Sequence, residues 1–142
     1  MIRRAINQYQ AVSVKSGVEG ASPHQLIQML MAGALDKVSL AKGHMERKNI
    51  AAKGEHISWA MSIIAGLQAS LDLDKGGELA LNLDALYDYM IRRLTEANIH
   101  NDTAILDEVS GLMREIKSGW DAIAPLAQTM PTASQSQLSP TV

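Results

Sequence analysis

A chain of 142 residues with 46% hydrophobic and 20% charged residues has the composition of one soluble globular domain, long enough to bury a proper core. Its net charge of -2 supplies no concentrated basic face for nucleic acid, and no apolar run approaches membrane-spanning length. Cysteine is absent, which removes disulfides, thiolate ligands and a thiol nucleophile, and Arg3 and Arg4 are not followed by a signal-peptide stretch, so a cytoplasmic setting is expected.

From 1 to 21, Ile2, Ile6 and Tyr9 keep helical spacing for a turn or two. Val12, Val14 and Val18 then alternate among small and polar residues, with Gly17 and Gly20 breaking the pattern. This predicts an arm with apolar teeth. Ser22-Pro23-His24-Gln25 is a helix start: a capping serine, a proline suited to the first helical position, and a glutamine able to close a capping box. Ile27, Met31, Ala34, Val38, Ala41 and Met45 carry that helix to about Glu46. Lys42, Arg47 and Lys48 read as its solvated end.

A second helix carries Ile57, Ala60, Ile64, Leu67 and Leu71, and the Gly76-Gly77 pair is expected to supply its left-handed cap. The third, from Gly76 to Asn98, sets Leu79, Leu83, Leu86, Met90, Leu94 and Ala97 on one face. Asp102 is placed to cap a fourth, which runs through Ile105, Val109, Leu112, Ile116, Trp120 and Ile123 and is expected to end before Pro125.

Helices of roughly 21 to 24 residues, each about 33 Å long, joined by short connections pack as antiparallel neighbours. The expected class is all-α, an up-down-up-down four-helix bundle over 22–124. The arm precedes it, and 125–142, rich in Ser, Thr, Gln and Pro, reads as a flexible tail.

Catalytic chemistry is not indicated. No histidine has a glutamate three residues before it, as a di-iron bundle requires, and Glu55-His56 lacks the frame of a zinc protease. Asp72-x-Asp74 suggests a calcium loop, but Leu83 stands where the bidentate glutamate belongs. No metal, cofactor or small-molecule substrate is expected. The four histidines lie in separate segments and read as surface residues. A histidine phosphotransfer domain is the alternative, with His56 as its candidate, although Ile57-Ser58-Trp59 is not the small-residue surrounding of such a site.

Surface hydrophobicity remains. Leu26, Leu30 and Leu35 lie off the first stripe, Trp59 and Ile63 flank the second, and Tyr87 and Ile91 widen the third. A wide core face accounts for many of these, and grooves receiving another protein's helices account for the rest. Eight methionines and no phenylalanine suit an adaptable apolar surface.

Four segments carry a resemblance: Tyr9 with the approach to Ser22, SPHQLIQMLMAGAL from Ser22 to Leu35, GGELALNLDALYDYM from Gly76, and Asn101-Asp102 leading to Trp120. In this order and spacing the chain resembles the FliS family, the cytoplasmic chaperones of bacterial flagellin. Met31-Ala32 stands where the family commonly has Tyr-Asp, so no hydrogen bond or charge is carried over there, whereas the apolar groove is. The resemblance implies a non-enzymatic chaperone without cofactor. Its partners would be the C-terminal segment of flagellin and the flagellar export gate at the membrane. The expected partner-binding residues are Ile6, Tyr9, Leu26, Leu30, Met31, Leu35, Trp59, Ile63, Tyr87, Met90, Ile91 and Leu94, with Ile91 at a groove rim.

Overall fold

The computed structural model describes residues 20–129, and these form four helices with no strand among them. They are α1 (Pro23–Glu46), α2 (Ile50–Ala69), α3 (Gly77–His100) and α4 (Thr103–Thr129). Each packs on its sequence neighbours and α4 closes back on α1, the order of an up-down-up-down bundle. Cross-helix contacts fix the antiparallel sense. Gln28, near the start of α1, bonds Asp121 of α4 at 2.7 Å, while Lys42, near the end of α1, pairs with Asp107 at 2.9 Å. Between α2 and α3, Gln68 Nε2 donates to Asp84 and Asp88 at 2.9 and 2.8 Å.

The helix starts follow from local chemistry. Ser22 Oγ accepts from the Gln25 amide at 3.1 Å, and Gln25 Oε1 accepts from the Ser22 amide at 2.8 Å, completing the capping box with Pro23 in the first turn. Asp102 Oδ1 accepts from the Ala104 amide at 2.9 Å. Between them, Asn101 takes the left-handed conformation (φ 51°) that ends α3, a role asparagine fills when glycine is absent.

Three expectations are corrected. The glycine pair does not cap α2, which ends earlier, at Ala69, on Ser70 in the right-handed region. Gly77 is left-handed (φ 59°) but begins α3. Asp72 organises the connection instead, its Oδ1 accepting from the amides of Asp74 and Lys75. Helix α4 does not stop before Pro125 but continues to Thr129. Proline denies a hydrogen bond to the carbonyl of Asp121, four residues back. Near a helix end that loss is confined to the last turns.

The third correction concerns which residues of α3 are inside. Leu79, on the expected stripe, is 57% exposed, whereas Tyr87, off it, is 2% exposed and Leu86 only half-buried. The inward line runs through Ala80, Tyr87, Met90, Leu94 and Ala97. In α4, Leu106 and Met113 likewise join Val109 in the core, while Ile123 is exposed. The other stripes hold: all six residues named on α1, and Ile57, Ala60, Ile64 and Leu67 of α2, are buried together.

Candidate protein-docking cleft

One end of the bundle gathers the start of α1, the end of α2, the start of α3 and the last turns of α4. Here α2 stops short, and residues 70–76 cross to α3 without covering it. The neighbouring helices α3 and α4 also touch least closely of the four adjacent pairs. An apolar cleft of about 300 Å³ results. Ile27 and Met31 of α1 and Leu67 of α2 form its back, Leu83 and Tyr87 its α3 wall, and Ile116 and Trp120 its α4 wall. Leu79 (57% exposed) and Ile123 (47% exposed) stand at the lip, two large apolar side chains in water beside an apolar hollow. Glu115 is the sole ionisable carboxylate on the lining.

The α4 wall is held to α1 by one aromatic contact. Trp120 stacks on His24 with ring centres 4.5 Å apart and planes 8° from parallel, and its Nε1 donates to the His24 carbonyl at 3.0 Å. Burial holds the His24 imidazole below its ordinary range, with Asp121 opposing this, and Nε2 is enclosed without a partner. Beside it, Lys117 and then Gln28 hold the Asp121 carboxyl below the usual carboxylate range. A larger but shallow depression of about 680 Å³ lies on this α1–α4 side, lined by Gly20, Gln28, Lys117 and Asp121 among others. Its polar groups are bonded to one another, and the smaller apolar cleft is the better candidate for docking.

Of the expected binding residues, Met31 and Tyr87 line the cleft. Leu30, Ile63, Met90 and Leu94 are buried in the core beneath the surface. Leu26 is half-buried, while Leu35 and Ile91 pack half-buried against the core. Trp59 is 53% exposed on α2, with Lys37 Nζ 3.9 Å above its ring. Ile6 and Tyr9 lie outside the described residues. The reading from sequence placed Ile27, Leu79, Leu83, Ile116, Trp120 and Ile123 in core stripes. The available signal was length: the α3 and α4 stripes run on past the point where α2 can cover them.

No group of three metal-ligating side chains occurs among the described residues, and Asp72, the calcium-loop candidate, already serves backbone amides. His56 Nδ1 lies 2.8 Å from the Ala52 carbonyl, which can only accept, so that nitrogen carries the proton. The ring leans on His44 at 5.0 Å. No described helix is long and apolar enough to cross a membrane.

The family model for flagellar protein FliS matches residues 5–127. The chain belongs to the FliS family. It is 55% identical over 121 residues to flagellar secretion chaperone FliSB of Pseudomonas aeruginosa, spanning 85% of this chain and 96% of that protein. Flagellar secretion chaperone FliS of Salmonella typhimurium is 50% identical over 123 residues, 86% of this chain and 91% of the relative. The Vibrio cholerae protein of the same name is 45% identical over 124 residues, 87% and 91%. The FliS match therefore takes in α1 to α3 and α4 as far as residue 127, covers positions 6 and 9 as well, and leaves out the last residues of the chain.

Proposed function

We propose that this protein is a cytoplasmic export chaperone that holds the C-terminal segment of flagellin, keeps it from polymerising early and delivers it to the flagellar export gate. The observation carrying this reading is the apolar cleft with Leu79 and Ile123 exposed at its lip, on a chain of the FliS family. A cargo segment that is disordered when free costs free energy to order. The receiving surface must therefore be apolar, extended and already formed. A bundle whose core is complete on its own meets that need without rearranging, and no bound group or catalytic constellation is required.

Beyond the cleft, Leu26, Leu35, Trp59 and Ile91 extend the contact along the helices, and Leu30, Met31, Ile63, Tyr87, Met90 and Leu94 shape it from beneath. Ile6 and Tyr9 contribute from the arm at 1–21. The bundle of 22–124 is the chaperone unit. The test mixes the purified protein with full-length flagellin and with flagellin lacking its C-terminal segment, then sizes the products. A one-to-one complex with the first alone supports the reading. Equal binding of both removes it.

A further inference from the structure

The cleft contains two polar groups that the bundle itself does not use. Tyr87 is 2% exposed, yet its hydroxyl makes no hydrogen bond with any described residue. Nor is it sealed away, since His24 Nε2 is the sole fully enclosed, unpartnered side-chain polar atom among the described residues. Burial pushes the phenol up to about 12, so at neutral pH it keeps its proton and can donate. A buried phenol with nothing to bond is costly unless something arrives to bond it.

Glu115 is the second group. It is exposed on the α4 wall, forms no ion pair among the described residues, and has only Gly111, Leu112, Ser118 and Gly119 one helical turn away. No lysine or arginine lines the cleft to answer it. Gly119 then cuts the wall back. A Cβ added there meets nothing within 4 Å, so a partner's backbone can approach α4 closely. Size limits what enters: an apolar cavity of about 150 Å³ accepts a benzene ring, so 300 Å³ has room for about two large side chains.

We propose that the cleft is a selective seat for one amphipathic helix of the flagellin cargo, which inserts two large apolar side chains one turn apart, sets a lysine or arginine against Glu115, and gives Tyr87 Oη an acceptor. This rests on the chaperone reading above and adds the part of the cargo that is recognised. The carboxylate excludes an acidic residue at that register, and the phenol penalises a wholly apolar segment. Recognition therefore has an attractive and a repulsive component.

The test is titration calorimetry with full-length flagellin at low and high salt, with thermal melts of each free variant. Tyr87→Phe should melt no lower than the parent, since it removes a hydroxyl without a partner, yet bind about three- to tenfold more weakly. Glu115→Gln should weaken binding about two- to fivefold and reduce its salt dependence, and Glu115→Lys should weaken it further. Gly119→Leu, whose Cβ meets nothing within 4 Å, fills the approach and should cost about tenfold or more, with its thermal melt showing that the free bundle stays folded. Parent affinity in all four variants overturns the seat while the chaperone reading stands. Loss with Gly119→Leu alone overturns the polar selection. A parent that binds no flagellin removes the chaperone reading, and the seat with it.

Discussion

At the end where α1 turns into α2 and α3 into α4, polar side chains tie neighbouring helices together. Lys53 is buried at 4% exposure, and its ammonium donates to the Asn98 carbonyl at 3.0 Å and to Asn101 Oδ1 at 2.6 Å. Glu108 of α4 accepts from both Tyr89 and Arg93 of α3 at 2.7 Å, and Lys42 reaches Asp107. At the opposite end, the contacts between α3 and α4 give way to an apolar hollow with leucine and isoleucine in water at its lip. The contrast separates two tasks. Directional bonds at the closed end tie α2 to α3 and α3 to α4, and at the open end they tie α1 to α4 and α2 to α3 around the hollow, so apolar surface between α3 and α4 can stay uncovered without the bundle losing its shape.

The largest effect should come from the closed end. Lys53→Ala leaves the Asn98 carbonyl and the Asn101 amide without their donor and opens a small void. It should destabilise the fold by about 3 kcal/mol and lower Tm by about 10 °C in a thermal melt. Flagellin affinity measured well below that melt should barely change. A strong loss of affinity in the folded variant would mean that the two ends are coupled rather than separate.

A second test lies beside the cleft. The fold holds His24 neutral, so its contribution to stability is complete above the ordinary value of 6.5 and is lost as pH falls from there through the lowered folded value. The melting temperature of the parent should therefore begin to drop below pH 6.5, before the carboxylates of Glu108 and Asp121 titrate at more acid pH. Changing His24→Phe keeps a ring against Trp120 and should flatten the first part of that decline. An identical profile in the variant would place the acid sensitivity elsewhere.

How much of this was legible beforehand depends on the range of the interaction. Ser22, Gln25 and Asp102 were readable because capping acts over two or three residues. The α1 stripe was readable because that helix is covered along its length. The cap of α2 was not, since Asp72 and Gly76-Gly77 compete for the same turn and only the point where α2 stops decides between them. Tyr87 and Leu79 exchanged places for a similar reason: two positions about 80° apart around a helix are sorted by where the neighbours stand. Pro125 argued for a helix end that the structure does not show there, since α4 continues through it to Thr129. The cleft residues Trp120 and Ile123 looked like core because their stripe is continuous, and only the shorter α2 leaves a hollow beside them.

Smaller effects refine the same contrast. Gly119→Ala, at an open position in the interior of α4, should raise stability by up to about 1 kcal/mol, visible as a Tm gain of a few degrees. A decrease would show that the wall is tighter there than the geometry indicates. Smallest of all, Lys42→Ala removes an exposed ion pair and should move Tm by about 2 °C or less, and by nothing in high salt.

Docking of the C-terminal segment of flagellin at the open, apolar end is read out by hydrogen–deuterium exchange of the protein with and without full-length flagellin. New protection is expected in the first turns of α3 around Leu79 and Leu83 and in α4 from Glu115 to Ile123, with little change in 98–108 at the closed end. Protection confined to the closed end, or equal protection with flagellin lacking its C-terminal segment, would contradict it.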